Sequence, residues 1–173
     1  MIHILTPCSR PWNLVMIVPS IPANCSWKVS FDKSTGVESR GKWYTSQFTG
    51  NWGNPIRNEM LSRLKAKPDD YVLFLDDDNI IHPNWYHHIK GVSADMVTWG
   101  QENKDGSVRL RATGQPQVGN IDTASFMVKY KIAKQLKFTN VYEADGIFAM
   151  EAAKKASDIQ VINESISYYN YLK

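Results

Sequence analysis

The 173-residue sequence has little cysteine, no long apolar run and no strong excess of either charge. Its two cysteines, Cys8 and Cys25, form no CxxC pair and lack zinc-site spacing, so neither a disulfide framework nor a zinc site is expected and a reducing compartment is indicated. No window approaches about 18 uninterrupted apolar residues, so no membrane-spanning helix is predicted. The apolar stretch 14–22 contains two prolines and lacks a basic leader, so no signal peptide is predicted and a cytoplasmic protein is expected.

The charge is nearly balanced, with 20 Lys and Arg against 17 Asp and Glu and a net charge of +3. Because no basic block interleaved with aromatic residues is present, no nucleic-acid partner is expected, whereas the mildly positive charge favours small anionic ligands. The apolar fraction of 43% and the charged fraction of 21% are typical of a soluble globular protein. The length suits one domain with a hydrophobic core, so residues 1–173 are predicted to form a single domain.

Hydrophobic patterning predicts strands that alternate with helices over the first hundred residues. The segment 71–75 is almost wholly apolar, as expected for a strand buried on both faces of a parallel sheet. The segment 54–67 starts with Asn54 as a candidate cap and Pro55 in the first turn, and its apolar stripe indicates a helix. Later strands are interpreted as a small mixed-sheet extension. The predicted fold class is therefore α/β, with a mainly parallel central sheet flanked by helices.

Three consecutive aspartates, Asp76, Asp77 and Asp78, follow the buried strand directly. Ligand sites in open α/β sheets lie outside the carboxyl ends of strands, and three adjacent carboxylates repel one another unless a cation or hydrogen bonds compensate. Because alternate residues of an extended segment point the same way, Asp76 and Asp78 are expected to face one ligand, while Asp77 points elsewhere and tolerates replacement. Oxygen-only ligands suit Mg²⁺ or Mn²⁺. The alternative is a polar loop whose aspartates cap a helix starting near Pro83.

The segment "FLDDDN" resembles the DxD segment of nucleotide-sugar-dependent glycosyltransferases of the GT-A fold, especially family 2. Four other segments resemble motifs of that family in the same order: "HILTPCSRP", "VSFDKSTG", "GNPIRNEML" and "YEADGIFAMEA". The resemblance runs from about residue 2 to residue 155. It implies a GT-A-like single domain with a nucleotide-binding part at about 1–100 and an acceptor and catalytic part at about 101–173.

The resemblance also implies roles for individual residues. The implied catalytic base is Asp145, with Glu143 as a less favoured substitute, and the implied metal ligand is Asp78 with help from Asp76. Family members often carry a late histidine that completes the metal shell, and no histidine follows His88 in this sequence. The implied nucleotide-binding residues are Thr6, Pro7, Arg10, Asp32, Arg57, Asp76 and Asp77.

The chemistry of these side chains leaves alternatives open. An aspartate at position 32 can accept the imide N–H of a uracil, or it can simply form a turn. Arginines 10 and 57 can fork onto phosphate, or they can be solvated. The three histidines near position 85 lack the i, i+4 spacing of a metal pair, so a surface or packing role is expected. Trp43, Trp52 and Trp99 are candidates for stacking on a sugar face, and the sequence does not rank them.

These implications predict a metal-dependent inverting glycosyltransferase of the hexosyltransferase type. The donor would be a nucleoside diphosphate sugar, with a UDP-sugar favoured and a GDP-sugar possible, and the acceptor a hydroxyl of a carbohydrate or glycoconjugate. Mn²⁺ or Mg²⁺ would neutralise the leaving diphosphate, while Asp145 removes the proton of the acceptor. Two alternatives stay open, namely a phosphohydrolase of the haloacid dehalogenase type and a non-catalytic module that binds sugar nucleotides or carbohydrates.

Overall fold

A nine-stranded sheet forms the centre of the computed structural model, which describes residues 1–39 and 43–173. The strands are β1 (Ile2–Cys8), β2 (Cys25–Phe31), β3 (Trp43–Thr45), β4 (Tyr71–Phe74), β5 (Ile80–Ile81), β6 (Met96–Glu102), β7 (Val108–Leu110), β8 (Phe126–Lys129) and β9 (Ile159–Tyr168). The α-helices are α1 (Leu14–Ile17), α2 (Asn54–Arg63), α3 (Trp85–Ile89), α4 (Tyr130–Ala133) and α5 (Ala144–Lys155).

The sheet has a parallel half and a mixed half, in the order β3-β2-β1-β4-β8-β6-β9-β5. Strands β3, β2, β1 and β4 are parallel to one another. Strand β8 is antiparallel to both β4 and β6, whereas β9 runs parallel to β6. Strand β5 pairs antiparallel with β9 at the edge, and β7 forms a hairpin arm on β6. The predicted fold class, a mainly parallel sheet flanked by helices with a mixed extension, is confirmed.

Alternating side chains of the central strands fill a hydrophobic core on each face of the sheet. Ile4 of β1 and Leu73 of β4 pack on one face, in a cluster that also contains the buried Trp85 and Trp99. Their chain neighbours point to the other face, where they pack against α2 and α5: Leu5, Val72 and Phe74. Because both faces of β4 are covered, every residue of that strand is apolar and buried, as the prediction required.

Helix α2 differs in detail from its prediction. Gly53 occupies the N-cap position with a φ of 77°, and the Asn54 side chain does not cap the helix. The Asn54 amide instead donates to the carbonyl of Val141 at 3.1 Å, and its oxygen accepts from Arg57 at 2.8 Å. The helix ends at Arg63 because Leu64 is extended, with a ψ of 123°. Among the described residues, no helix combines the length and hydropathy needed to cross a bilayer.

Candidate functional site

A pocket of about 490 Å³ opens at the carboxyl ends of the parallel strands. The loop after β1 and the segment after β4 form its floor, since both strands end at the same edge of the sheet. The turn before α2 and the start of α5 form two walls, and the last residues of the chain form a third. All five segments that carry the resemblance therefore contribute residues to one cavity, although they lie far apart in the sequence.

Asp76 contacts the α2 side of the pocket. Its carboxylate forms an ion pair with Arg57 and accepts from the hydroxyl of Thr123 at 3.3 Å. Arg57 is only 6% exposed, and its Nη1 also donates to the carbonyl of Trp52 at 2.7 Å. Burial raises the pKa of Asp76; Arg57 opposes the shift, while Asp78 and Asp122 add to it. The Asp76 side chain is 28% exposed, so Asp76 and Arg57 form a partly buried charged pair that lines the cavity.

Asp77 points toward the loop after β1 and organises it. One carboxylate oxygen accepts from the backbone N–H groups of Ser9 at 2.6 Å and Arg10 at 2.7 Å. The other accepts from the Arg10 guanidinium, with Nε at 2.9 Å. The residue is 2% exposed. The direction predicted for Asp77, away from its neighbours' ligand, matches this geometry, but the expected tolerance to replacement does not, because its negative charge is buried among donors. Because the Asp77 carboxylate accepts hydrogen bonds from the loop after β1, its implied contact with a nucleotide is corrected to a role in supporting that loop.

Asp78 contacts the opposite side of the pocket from Asp76. Its carboxylate lies 3.0 Å from Arg10 Nη2 and 3.2 Å from Lys173 Nζ. Its backbone carbonyl accepts from Leu172 N–H at 3.1 Å, which anchors the C-terminal residues over the pocket. None of the three aspartates caps α3, whose N-cap residue Asn84 makes no side-chain cap bond, so the capping alternative is not seen.

The two aspartates expected to bind a metal fit only part of a coordination shell. Within residues 1–39 and 43–173, no three His, Cys, Asp or Glu side chains gather as a metal site. Asp76 and Asp78 nevertheless both line the pocket and offer hard oxygen donors. Mg²⁺ commonly takes one or two protein carboxylates and completes its shell with water and substrate phosphates. The donor set therefore suits a divalent ion that arrives with a phosphate ligand, and not a cage built by the protein alone.

Asp145 lies in the first turn of α5 and lines the same pocket. Burial raises the pKa of Asp145 to about 6, with added repulsion from Asp122 and Asp76, although the N–H of Gly146 donates to its carboxylate at 2.7 Å. Gly146 also allows a close approach, because a Cβ there would lie 2.7 Å from the Cα of Val118. The Val118 loop can therefore close one wall of the pocket beside the Asp145 carboxylate.

Replacing Asp145 with asparagine is expected to stabilise the protein at neutral pH. In the wild type the Asp145 carboxyl ionises less readily in the folded state than in the unfolded state, so the folded state becomes less favoured as the pH rises from about 4 to about 6. Below about pH 4 the group is protonated in both states and costs nothing. Because solvent reaches part of the carboxylate, the gain is on the order of 1–2 kcal/mol, or about 3–6 °C in Tm. Thermal unfolding from pH 4 to pH 8 measures it.

The gain should be near zero at pH 4, grow between pH 4 and 6, and level off above pH 7. Asp69→Asn is the matched control, since the Asp69 side chain is 78% exposed, and its Tm should change little at any pH. A stability difference for Asp145→Asn that does not vary with pH would contradict the raised pKa.

Two residues implied to bind the nucleotide have other partners. Thr6 lies inside β1, is fully buried, and accepts from the indole N–H of Trp27 at 3.0 Å, so its predicted place in the pocket is wrong. Asp32 does line the pocket, but its carboxylate accepts from the backbone and hydroxyl of Ser34 and from Gly50 N–H. Burial alone would raise the pKa of Asp32, yet these hydrogen bonds outweigh it and lower the pKa. The turn-forming alternative describes Asp32 better than a base contact does.

For the remaining residues the structure gives a position, and their binding roles stay predictions. Pro7, Arg10 and Arg57 line the pocket, and Glu143 lies exposed just before α5. The three histidines, His82, His87 and His88, are not among the residues that line it, consistent with the surface or packing role expected of them.

The pocket residues that the sequence analysis did not identify include Arg109, Asp122, Thr123 and Lys173. Arg109 pairs with Asp122 at 3.2 Å and lies over the ring of Tyr169, with 3.4 Å from Cζ to the ring centroid. The only local signal near them is the capping box of Asp122 and Ser125, which indicates a turn and not a ligand site. These residues enter the pocket through long-range strand pairing.

No protein-family model and no curated protein sequence matches the chain. Solved structures do match. The bifunctional IspDF from Campylobacter jejuni aligns with a TM-score of 0.57 and 10% identity, over 95% of this chain and 50% of that one. The inositol-1-phosphate CTP transferase from T. maritima aligns with a TM-score of 0.53 and 9% identity, over 96% and 87%. The Francisella tularensis 2-C-methyl-D-erythritol 4-phosphate cytidylyltransferase aligns with a TM-score of 0.45 and 11% identity, over 91% and 82%.

At 9–10% identity the two alignments with TM-scores above 0.5 establish a shared α/β fold. The chain spans about half the length of the IspDF structure. The prediction of an inverting family 2 glycosyltransferase is contradicted, because the T. maritima structure that shares the fold is named for CTP transfer and not for glycosyl transfer. Neither of the alternatives, a haloacid dehalogenase-type hydrolase or a non-catalytic carbohydrate module, corresponds to these names. A DxD-like triplet after a buried strand is therefore compatible with more than one transferase chemistry.

Proposed function

We propose that this chain is a nucleotidyltransferase that moves a nucleoside monophosphate from a nucleoside triphosphate to a phosphate-bearing acceptor. One observation carries the proposal: four basic side chains and the Asp76–Asp78 carboxylates meet in one pocket at the carboxyl ends of parallel strands. The fold shared with a CTP transferase supports it, and CTP is the first donor to test. The neighbours' names also favour an acceptor that carries a phosphate, such as a phosphorylated polyol.

The basic side chains would bind the triphosphate. Arg10 and Arg57 present guanidinium groups from opposite sides of the pocket, and a guanidinium can fork onto phosphate oxygens. Arg109 and Lys173 add charge from the mixed half of the sheet and from the C-terminal residues. Each of the four is already held by an aspartate, so its position is set before a ligand arrives. Pre-organised charge of this kind lowers the entropic cost of binding.

The pocket needs further positive charge to accept a polyanion. Its lining contains seven acidic side chains against four basic ones: Asp32, Asp76, Asp77, Asp78, Asp122, Glu143 and Asp145 against Arg10, Arg57, Arg109 and Lys173. Asp76 and Asp78 would hold Mg²⁺ or Mn²⁺ together with the phosphates, and such an ion supplies Lewis-acid stabilisation of the phosphate charge. Phosphate binding and proton transfer would be carried out by side chains of the protein.

The proposed reaction is one in-line displacement. A phosphate oxygen of the acceptor attacks the α-phosphorus of the nucleoside triphosphate and forms a new P–O bond. The bond from that phosphorus to the bridging oxygen of the β-phosphate breaks, and pyrophosphate leaves with the electron pair, neutralised by Arg10 and Arg57. Asp145 would accept the remaining proton of the acceptor phosphate, because its pKa of about 6 lies near the second pKa of a phosphate monoester.

Thermal unfolding in the presence of CTP, UTP, ATP and GTP, each with and without Mg²⁺, tests donor binding. A donor at 100 times its Kd stabilises the folded state by about 2.7 kcal/mol, which is about 5–10 °C for a domain of this size. We expect at least one triphosphate to produce this shift with Mg²⁺, and a smaller one without it. UDP-glucose and GDP-mannose serve as comparison ligands.

Pyrophosphate release with a panel of phosphorylated polyols then tests turnover. Asp145→Asn should lower kcat by about 100-fold or more while the donor-induced Tm shift is retained, since the residue acts on the acceptor proton. No shift with any triphosphate, or binding without pyrophosphate release from any acceptor, would contradict the proposal.

A further inference from the structure

Two exposed aromatic side chains, Trp52 and Tyr142, flank the mouth of the pocket. Trp52 is 59% exposed and Tyr142 is 70% exposed, and their ring centroids are 6.0 Å apart in a T-shaped arrangement. The other tryptophans considered for stacking are used elsewhere, because Trp99 is 1% exposed and Trp43 packs on Trp27. The structure therefore selects Trp52 from the three candidates that the sequence leaves unranked.

Trp52 also occupies an unfavourable backbone conformation. Its φ of 53° follows a φ of 51° at Asn51, in the left-handed region that bulky residues rarely adopt. Such a conformation persists only where the surroundings hold it, and it is concentrated at ligand sites. Here Arg57 Nη1 donates to the Trp52 carbonyl at 2.7 Å, and Gly50 N–H donates to Asp32 at 3.0 Å. A strained residue whose side chain is mostly in solvent has little packing to justify it, which indicates a role toward a ligand.

The strained turn is joined directly to the proposed phosphate site. Arg57 contacts the Trp52 carbonyl and the Asp76 carboxylate with the same guanidinium, so the Trp52 backbone has a set position relative to that charge. The turn also lies against the end of β1, since a Cβ on Gly53 would be 3.4 Å from Pro7 Cβ. If the phosphates of a substrate bind Arg57, the ring attached to them would therefore lie beside Trp52.

We propose that Trp52, assisted by Tyr142, is the stacking platform for the nucleobase of the triphosphate donor. This inference rests on the proposed function and names the part of the substrate that the pair recognises. Of the two proposed substrates, only the donor contains a flat aromatic ring, whereas a phosphorylated polyol offers hydroxyls and charge. Stacking on an aromatic side chain depends little on which base is bound, because every base has a π-face. The platform therefore supplies affinity for a nucleotide and leaves the choice of base to other contacts.

The test compares CTP with inorganic tripolyphosphate, which has the same charged groups and no base. Trp52→Gly should weaken CTP binding by about 5- to 100-fold and change tripolyphosphate binding by less than about twofold. Because glycine accepts a positive φ without strain, the Tm of the unliganded variant should stay equal or rise. Trp52→Phe should retain most of the CTP affinity. Isothermal titration with Mg²⁺ present measures both ligands.

Trp12→Ala is the matched control, because Trp12 is 71% exposed but does not line the pocket, and its CTP affinity should be unchanged. Equal losses for CTP and tripolyphosphate in Trp52→Gly would overturn the platform, since the turn would then act only through Arg57. Unchanged CTP affinity, or a loss confined to the KM of the acceptor, would overturn it as well while leaving the nucleotidyltransferase proposal intact. If the wild type binds no nucleoside triphosphate, the proposed function fails and the platform fails with it.

Discussion

Replacing Arg57 with alanine is expected to lower the free energy of unfolding by about 3–5 kcal/mol and to abolish nucleotide binding. Arg57 is 6% exposed and connects three parts of the pocket wall: the Asp76 carboxylate, the Trp52 carbonyl and the Asn54 side chain. Alanine leaves Asp76 without its cation in a site where burial and neighbouring aspartates already raise its pKa. It also removes the hydrogen bond that holds the strained turn.

Arg57→Lys separates charge from geometry. Lysine keeps the positive charge but cannot reach Asp76 and the Trp52 carbonyl with one planar group, so an intermediate loss of stability is expected. Arg111→Ala is the control, because Arg111 is exposed and its truncation should change stability by less than about 0.5 kcal/mol. Denaturant unfolding of the three variants gives the free energies. If Arg57→Ala unfolds at the same denaturant concentration as the wild type, the Arg57–Asp76 ion pair does not stabilise the folded state.

Replacing Asp77 with asparagine is expected to cost about 2–4 kcal/mol, or roughly 5–15 °C in Tm. Asparagine has nearly the same shape, so the substitution leaves no cavity and tests the charge alone. It would place an NH₂ group against the backbone donors of Ser9 and Arg10, which now point at one carboxylate oxygen. The cost is below the upper limit for buried pairs because Arg10 keeps a second partner in Asp78.

Asp69→Asn again serves as the control, since it removes an aspartate charge from a side chain that is 78% exposed. Thermal unfolding of both variants at pH 7 is sufficient. We also expect Asp77→Asn to weaken triphosphate binding by displacing the Arg10 loop. A wild-type Tm for Asp77→Asn would instead support the tolerance predicted from the sequence.

Local patterns in the sequence account for the elements that carry the site. The apolar run 71–75 predicts a strand buried on both faces, and the aspartates after it lie at a carboxyl end, where the pocket is found. Arg57 was predicted near the ligand from a motif only a few residues long. Such features depend on side-chain periodicity and on neighbours in the chain, which a sequence displays directly.

Two errors at single residues have local causes. Thr6 was implied to bind the nucleotide, but β1 continues to Cys8, so the hydroxyl lies in the sheet beside Trp27. Strand ends are poorly marked when the next residue can also be extended. Asp77 was expected to tolerate replacement because the alternating side-chain directions of an extended segment point it away from Asp76 and Asp78. Alternation sets the direction of a side chain, but it does not show that the donors of Ser9 and Arg10 lie in that direction.

The chemistry of transfer was the larger error. A DxD-like triplet at the end of a buried strand places carboxylates at a pocket, and that arrangement suits both glycosyl and nucleotidyl transfer. The two reactions differ in the atom that the acceptor attacks, which is a phosphorus in nucleotidyl transfer and a carbon in glycosyl transfer. In the proposed reaction this would depend on Arg109, Lys173 and the walls of the pocket, and these residues come from segments far from the triplet.

The sequence by itself determined the α/β class, the buried strand and the acidic triplet at its end, because these follow from hydrophobic periodicity and chain order. Only the tertiary structure decided which partner each aspartate has, that Arg109 and Lys173 join them, and that Trp52 is the exposed tryptophan at the pocket. The physical reason is that these contacts join residues tens of positions apart. They exist only once β8 is inserted antiparallel between β4 and β6 and the C-terminal residues are folded over the cavity.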